Sequence, residues 1–266
     1  MTTILHQIIA HKTQEIVGLS MRLKNARPQK SKRSFLQALI SSKHKLALIA
    51  EIKKKSPSRG DILPDADVLS IAEIYEKSGA SAISVLTDYQ YFGGSLADLQ
   101  QVSRMVDIPV LRKDFILDAS QILEARMAEA DSVLLMVSVL KETKKIQELI
   151  QYAQSLGMEP LVETHDEAEI KIAVQSGAKI IGVNARYFSD LSVDITRLPT
   201  LLKKIPQGIV RVAESGMKTR EDMQYLSPHC DAVLIGTTLM EEGEEGIEEK
   251  IKEIMEGKKS QAPSTK

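Results

Sequence analysis

The chain has 266 residues, 43% hydrophobic and 27% charged, with a formal net charge of −1: enough apolar material for one sizeable core, and no electrostatic case for nucleic acid or an anionic membrane as partner. Its single cysteine, Cys230, excludes an internal disulfide framework or a multi-cysteine metal site and fits a reducing, cytoplasmic setting. No signal-peptide pattern opens the chain, no run approaches the roughly 18 apolar residues of a membrane span, and the absence of Trp with only 4% aromatic residues argues against base-stacking platforms.

In chain order, residues 3–24 place Ile4, Leu5, Ile8, Ile9, Ile16, Leu19 and Leu23 at helical spacing and predict an amphipathic helix. Residues 27–33, RPQKSKR, read as a solvated basic connector, and Ser34 is a candidate N-cap for a short helix carrying Phe35, Leu36, Leu39 and Ile40. From there eight apolar runs, at 46–52, 82–86, 109–112, 132–137, 159–163, 180–184, 209–213 and 232–236, alternate with helical patterns. Those patterns fall at 67–77, 95–104, 119–128, 142–156, 166–175, 194–204 and 219–226, and a last helix at 239–255 is acidic early and basic late. The runs are continuously apolar, as in parallel strands buried on both faces. The phrase Ser-Gly-Ala at 78–80 and 176–178 marks the same helix-to-strand turn in two units. Eight βα units predict the α/β class and a (β/α)8 TIM barrel: one domain over 1–257, with a helical extension at 1–45 and a disordered polar tail at 258–266. A doubly wound sheet is the alternative, but no GxGxxG follows the first strand.

In such a barrel the active site lies at the C-terminal ends of the strands. The first strand ends in Glu51 and Lys53, which share a face because they are two apart. The second ends in Leu86-Thr87-Asp88, the third in Lys113, the fifth in Glu163 and the sixth in Asn184, with Arg186 close behind. The seventh ends in Glu214-Ser215-Gly216 and the eighth in Gly236-Thr237-Thr238. Any one of these alone is an ordinary solvated strand end. Together they put three carboxylates, two lysines, an arginine and an asparagine at one mouth, which points to acid–base catalysis with no metal and no cofactor. Carboxylates packed around a lysine are expected to move its pKa toward use as an acid near neutrality; a Schiff base on Lys113 is the chemical alternative. The five histidines are scattered, and His165, though placed to reach the mouth, reads as a loop histidine. Gly216 and Gly236-Thr237 sit where this fold commonly holds a phosphate on backbone N–H groups. The apolar fourth strand with Leu134, and Phe92 and Phe115 nearby, indicate that the rest of the ligand is flat and apolar.

The phrase Glu51-x-Lys53-x-x-Ser56-Pro57-Ser58-x-Gly60, followed by Ser84-Val85-Leu86-Thr87-Asp88, Tyr91-Phe92-Gly93-Gly94-Ser95, Leu111-Arg112-Lys113-Asp114-Phe115, Pro160-Leu161-Val162-Glu163, Gly182-Val183-Asn184-Ala185-Arg186 and Ala213-Glu214-Ser215-Gly216, resembles the indole-3-glycerol-phosphate synthase family over about residues 48–240. The resemblance implies ring closure with decarboxylation and dehydration of 1-(2-carboxyphenylamino)-1-deoxyribulose 5-phosphate. It makes Lys113 the general acid at the ketone oxygen and Glu163 its partner in proton transfer. Glu51 and Lys53 would assist loss of CO2 and water, with Lys53 also close to the anionic groups. Asn184, Glu214 and Ser215 would orient the substrate; Ser56, Ser58 and Arg186 would face the aromatic carboxylate. Gly216, Gly236 and Thr237 would bind phosphate, and Phe92, Phe115, Leu134 and Phe188 would hold the ring. Tyr187-Phe188 departs from the family's usual Asp-Leu: Phe188 keeps an apolar wall, while Tyr187 loses a carboxylate that could fix Arg186. Segment 54–58 is expected to loop over the mouth. The implied partner is a small phosphorylated molecule, with the chain a monomer or weak homodimer. Another phosphosugar barrel enzyme, an isomerase or a Schiff-base aldolase, is the alternative, and a non-catalytic binding barrel is a third reading.

Overall fold

Strands β1 (Ala47–Ile52), β2 (Ala82–Leu86), β3 (Val110–Lys113), β4 (Ser132–Met136), β5 (Leu161–Thr164), β6 (Ile180–Asn184), β7 (Val210–Glu214) and β8 (Ala232–Ile235) pair in parallel, each with the next, and β8 returns to β1 to close the barrel. This computed structural model describes residues 3–187 and 190–255; Phe188 and the 258–266 tail lie outside the described residues. Each strand starts within two residues of its expected position. Helices lie between the strands, and the fold is the (β/α)8 TIM barrel with helices ahead of the first strand. No helix among the described residues is long and apolar enough to cross a membrane.

Helix starts are written locally. Ser34, Asp67, Ser95, Asp118, Asp166 and Thr219 each sit at an N-cap, and each side chain accepts a backbone N–H of the first turn. The two Ser-Gly-Ala phrases end their helices identically. Gly79 and Gly177 take φ of +86° and +84°, and the following Ala80 and Ala178 N–H groups donate to Tyr75 O and Ala173 O at 3.0 and 3.2 Å.

The structure corrects the sequence reading in the extension. The single helix expected over 3–24 is two, Ile4–Glu15 and Leu19–Arg22, because Gly18 turns left-handed at φ +74°. The connector is not simply solvated. Arg33 pairs with Asp131 at 2.7 Å and donates to the Ser103 and Val106 carbonyls, while Ser31 donates to Asp131 at 2.6 Å. These bonds lash residues 31–33 to the barrel wall, so that Phe35 and Leu39 of helix Phe35–Ile40 join the core inside the strands. The final helix likewise divides, into Thr237–Met240 and Gly243–Met255.

Two apolar layers result. Side chains such as Leu48, Val85, Val133, Val162, Ile181 and Val233 pack between strands and helices. Ile49, Leu111, Leu134, Leu161, Ile180, Val212 and Leu234 fill the barrel interior. Because side chains alternate along a strand, the inward positions continue as Glu51, Lys113, Glu163 and Glu214, one from each odd-numbered strand. In this fold alternate strands contribute the four members of an interior layer. Here one whole layer is charged.

Candidate active site

Glu51, Lys113 and Glu163 of this layer line the floor of a cavity of ≈ 850 Å³ at the C-terminal ends of the strands, while Glu214 is fully buried and does not line it. At its centre Lys113 Nζ lies 3.3 Å from Glu51 Oε2, 3.4 Å from Glu214 Oε2 and 3.9 Å from Glu163 Oε2. Lys53 Nζ reaches the other oxygen of Glu51 at 3.0 Å. All three glutamates are buried, Glu214 completely.

The groups titrate according to these neighbours. Burial alone would raise the Glu51 carboxyl, but the Lys113 and Lys53 ammoniums outweigh it and bring it down to about 2. Burial works against the Lys113 ammonium, yet Glu51, Glu214 and Glu163 together hold its pKa above the ordinary lysine value. This corrects the expectation that packing would bring the lysine toward neutrality: the neighbouring carboxylates together outweigh desolvation, so the resting group is a firmly held ammonium. Glu214 is pushed up to about 8, first by burial and then by the adjacent Glu163, against the pull of Lys113. The Glu163–Glu214 pair therefore holds a proton to higher pH than a free carboxyl would.

Two glycines make the layer possible. Gly182 on β6 stands beside Glu163 in the register, and a methyl group there would overlap the Glu214 carboxyl. Its bare Cα opens the space in which Glu163 and Glu214 meet across the strand. Gly236, just past β8, leaves room for Glu51 in the same way.

Around the floor, the cavity is lined by Ser56 and Ser58 on one side, Phe92, Phe115 and Leu134 on another, and Asn184, Arg186, Ser215, Gly216, Gly236 and Thr237 on the rest. The Phe92 and Phe115 rings lie 6.1 Å apart at 38°, a tilted apolar wall. Segment 54–62 does arch over the mouth: Lys55–Ser56 pairs antiparallel with Gly60–Asp61, which presents Pro57, Ser58 and Arg59 to the cavity. Asn184 Oδ1 accepts the Arg186 N–H at 2.9 Å, and the Arg186 guanidinium donates to Leu191 O at 2.9 Å. A backbone carbonyl thus holds Arg186 where an aspartate at 187 would have done so. Tyr187 instead lies under the Arg197 guanidinium, 4.2 Å from the ring centroid. Ser215 takes a left-handed φ of 67°, a conformation that costs a non-glycine residue and that concentrates at functional sites.

Sequence reasoning passed over three contributors. Ile4 and Ile8 of helix Ile4–Glu15 complete the apolar wall. Lys12 of the same helix is fully buried, 3.1 Å from Asp88 Oδ2 and 3.0 Å from Asp114 Oδ1, and pins the helix to the loops after β2 and β3. Asp114 is also held by Arg112 at 3.0 Å and by the Thr87 hydroxyl at 2.6 Å. The helical period at Ile4 and Ile8 and the Lys113-Asp114-Phe115 phrase were visible signals, but neither says which surfaces meet. Gly182 is the third; its place in a matching phrase gave no sign of the carboxyl it makes room for. Among the described residues no cluster of three or more His, Cys, Asp or Glu side chains could hold a metal ion.

A lysine set among three buried glutamates on one interior layer, at the floor of a large cavity, defines an acid–base enzyme of the (β/α)8 class. The family model for indole-3-glycerol phosphate synthase matches residues 5–254, and the chain belongs to that family. Its relatives include the indole-3-glycerol phosphate synthases of Chlorobium phaeovibrioides, 43% identical over 88% of this chain and 93% of that one, and of Streptococcus pneumoniae, 40% identical over 94% and 96%. Among solved structures, the tryptophan synthase alpha-subunit of Pyrococcus furiosus superimposes with a TM-score of 0.60 at 13% identity, over 80% of this chain and 98% of that one. That likeness is one of fold.

Proposed function

We infer that the charged layer carries out the family's reaction, closure of 1-(2-carboxyphenylamino)-1-deoxyribulose 5-phosphate to indole-3-glycerol phosphate in tryptophan biosynthesis. The observation that carries the assignment of roles is the single ammonium of Lys113 set among three buried carboxylates at the cavity floor. The ring carbon bearing the carboxylate bonds to the ketone carbon, and the ketone oxygen takes a proton from Lys113. Loss of CO2 restores the aromatic ring. The new hydroxyl then takes a second proton and leaves as water, while a proton of the adjoining methylene goes to Glu163. Two protons are given and one is taken, so each turnover draws one from solvent. Lys53, paired with Glu51, serves the decarboxylation and dehydration. Asn184, Ser215 and protonated Glu214 orient the sugar chain. Ser56, Ser58 and Arg186 face the aromatic carboxylate, the Phe92–Phe115–Leu134 wall with Ile4 and Ile8 takes the ring, and Gly216, Gly236 and Thr237, with Lys53, receive the phosphate. The enzyme acts in the cytoplasm as a monomer or weak homodimer.

A Schiff-base aldolase needs a neutral amine, and the carboxylates around Lys113 oppose one. The direct test follows indole fluorescence on adding the ribulose phosphate to the purified protein. Appearance of the indole product supports the reading; its absence, together with borohydride trapping of substrate carbon on Lys113, would replace it with the aldolase. A sharper result concerns Gly182. Gly182→Ala is expected to lower kcat by about a hundredfold with the fold retained, because its methyl group must displace the Glu214 carboxyl. An unchanged kcat would show that the position of Glu214 is immaterial.

A further inference from the structure

Glu163 and Glu214 are close enough for one carboxyl to bond the other, and two such groups in a buried site share a proton. Lys113 faces both, at 3.9 and 3.4 Å, and so does little to decide which of them carries it. A second cation stands on one side only. His165, just past β5, places Nε2 3.5 Å from Glu163 Oε1. Its Nδ1 lies 3.2 Å from Glu169 Oε2, and that same oxygen accepts the His165 backbone N–H at 2.7 Å. Glu169 is itself fixed in the first turn of helix Glu167–Gln175, where Asp166 caps its N–H. The imidazole therefore bridges a carboxylate of the catalytic layer and one of the outer helix. Arg197 of the turn Ile195–Arg197 also lies against it, its guanidinium donating to the His165 carbonyl.

We propose that His165 is a positioning residue that breaks the symmetry of the Glu163–Glu214 pair: its imidazolium beside Glu163 Oε1 keeps the negative charge on Glu163, the base, and leaves the proton on Glu214. The proposal rests on the reading of Glu163 as the base. Burial opposes the imidazolium and Arg197 opposes it further, but Glu169 and Glu163 hold its pKa above the ordinary histidine value. The imidazolium therefore persists to higher pH than that of an ordinary histidine and is lost as the pH rises further. Sequence alone made His165 a loop histidine; Glu163 two residues before it and Glu169 four residues after it are close in the chain, but nothing there showed that both carboxylates turn toward the ring.

Two measurements test this, and the first needs no turnover. The His165 imidazole is titrated by NMR in the wild-type protein and in Glu163→Gln. The midpoint is expected to fall by about one pH unit when the Glu163 charge is removed; an unchanged midpoint overturns the pairing. The second follows kcat against pH for wild type, Glu169→Gln and His165→Gln. Wild-type kcat is expected to fall on the alkaline side at the midpoint read by NMR, and Glu169→Gln to move that fall to lower pH. His165→Gln should lose about tenfold in kcat at neutral pH, with KM little changed and the fall at the imidazole midpoint gone, leaving only the separate fall from loss of the Glu214 proton. A His165→Gln profile that keeps the wild-type shape overturns the proposal and leaves His165 a purely structural bridge. If the wild-type protein forms no indole product, the reading of the site fails, while the NMR shift still decides whether His165 and Glu163 are coupled.

Discussion

Lys113→Ala is expected to lower kcat by about 10³-fold while KM changes little, because a general acid acts on charge that develops only in the transition state. Steady-state rates of indole product formation check this, and undiminished turnover would remove Lys113 from the mechanism. The same variant carries a stability signature. In the wild-type protein Lys113 and Lys53 hold Glu51 down at about 2. A carboxyl depressed in the folded state contributes stability above its unfolded pKa and loses it as pH falls through the folded one. Removing Lys113 withdraws that contribution and leaves Glu163 and Glu214 without their shared cation. The melting temperature of Lys113→Ala is therefore expected to lie well below wild type at neutral pH, and the gap to narrow as the pH falls below about 4.5, the ordinary carboxyl value, toward the folded value of about 2 for Glu51. A gap independent of pH would mean that the loss comes from packing instead of charge.

Lys12→Met is expected to destabilise the protein by about 3–5 kcal/mol, the usual cost of leaving a buried charge without its partner, and so to lower the melting temperature by roughly 10 °C for a chain of this size. Asp114 keeps Arg112 and Thr87 when Lys12 is gone. Asp88, 1% exposed, loses the cation at its Oδ2. Lys12→Met/Asp88→Asn should therefore recover part of the loss, and a double variant no more stable than the single one would place the cost elsewhere. Because Lys12 seats the helix that brings Ile4 and Ile8 to the cavity, the single variant should also raise KM more than it lowers kcat.

Barrel strands and helix starts were legible because their causes are local. A strand buried on both faces has to be apolar along its length, and Asp67, Ser95, Asp166 and Thr219 cap the helices that follow them. The positions of Glu51, Lys53, Lys113, Glu163, Asn184 and Glu214 were legible for a related reason, since the end of an interior strand is where polar groups face the mouth. The break at Gly18 was less legible, because glycine permits a left-handed turn without requiring one. Arg33 read as a solvated charge and Lys12 drew no reading at all, because their partners, Asp131 for one and Asp88 and Asp114 for the other, come from other parts of the chain.

By itself the sequence determined the eightfold βα order, the polarity of each strand end and the family. Only the tertiary structure decided that four of those ends form one interior layer, that Gly182 makes room for Glu214, and that Lys113 titrates upward. Each depends on distances across the barrel: Coulomb energy falls with separation and rises with burial, so a lysine meeting one carboxylate or three is the same residue in the sequence and a different acid in the fold.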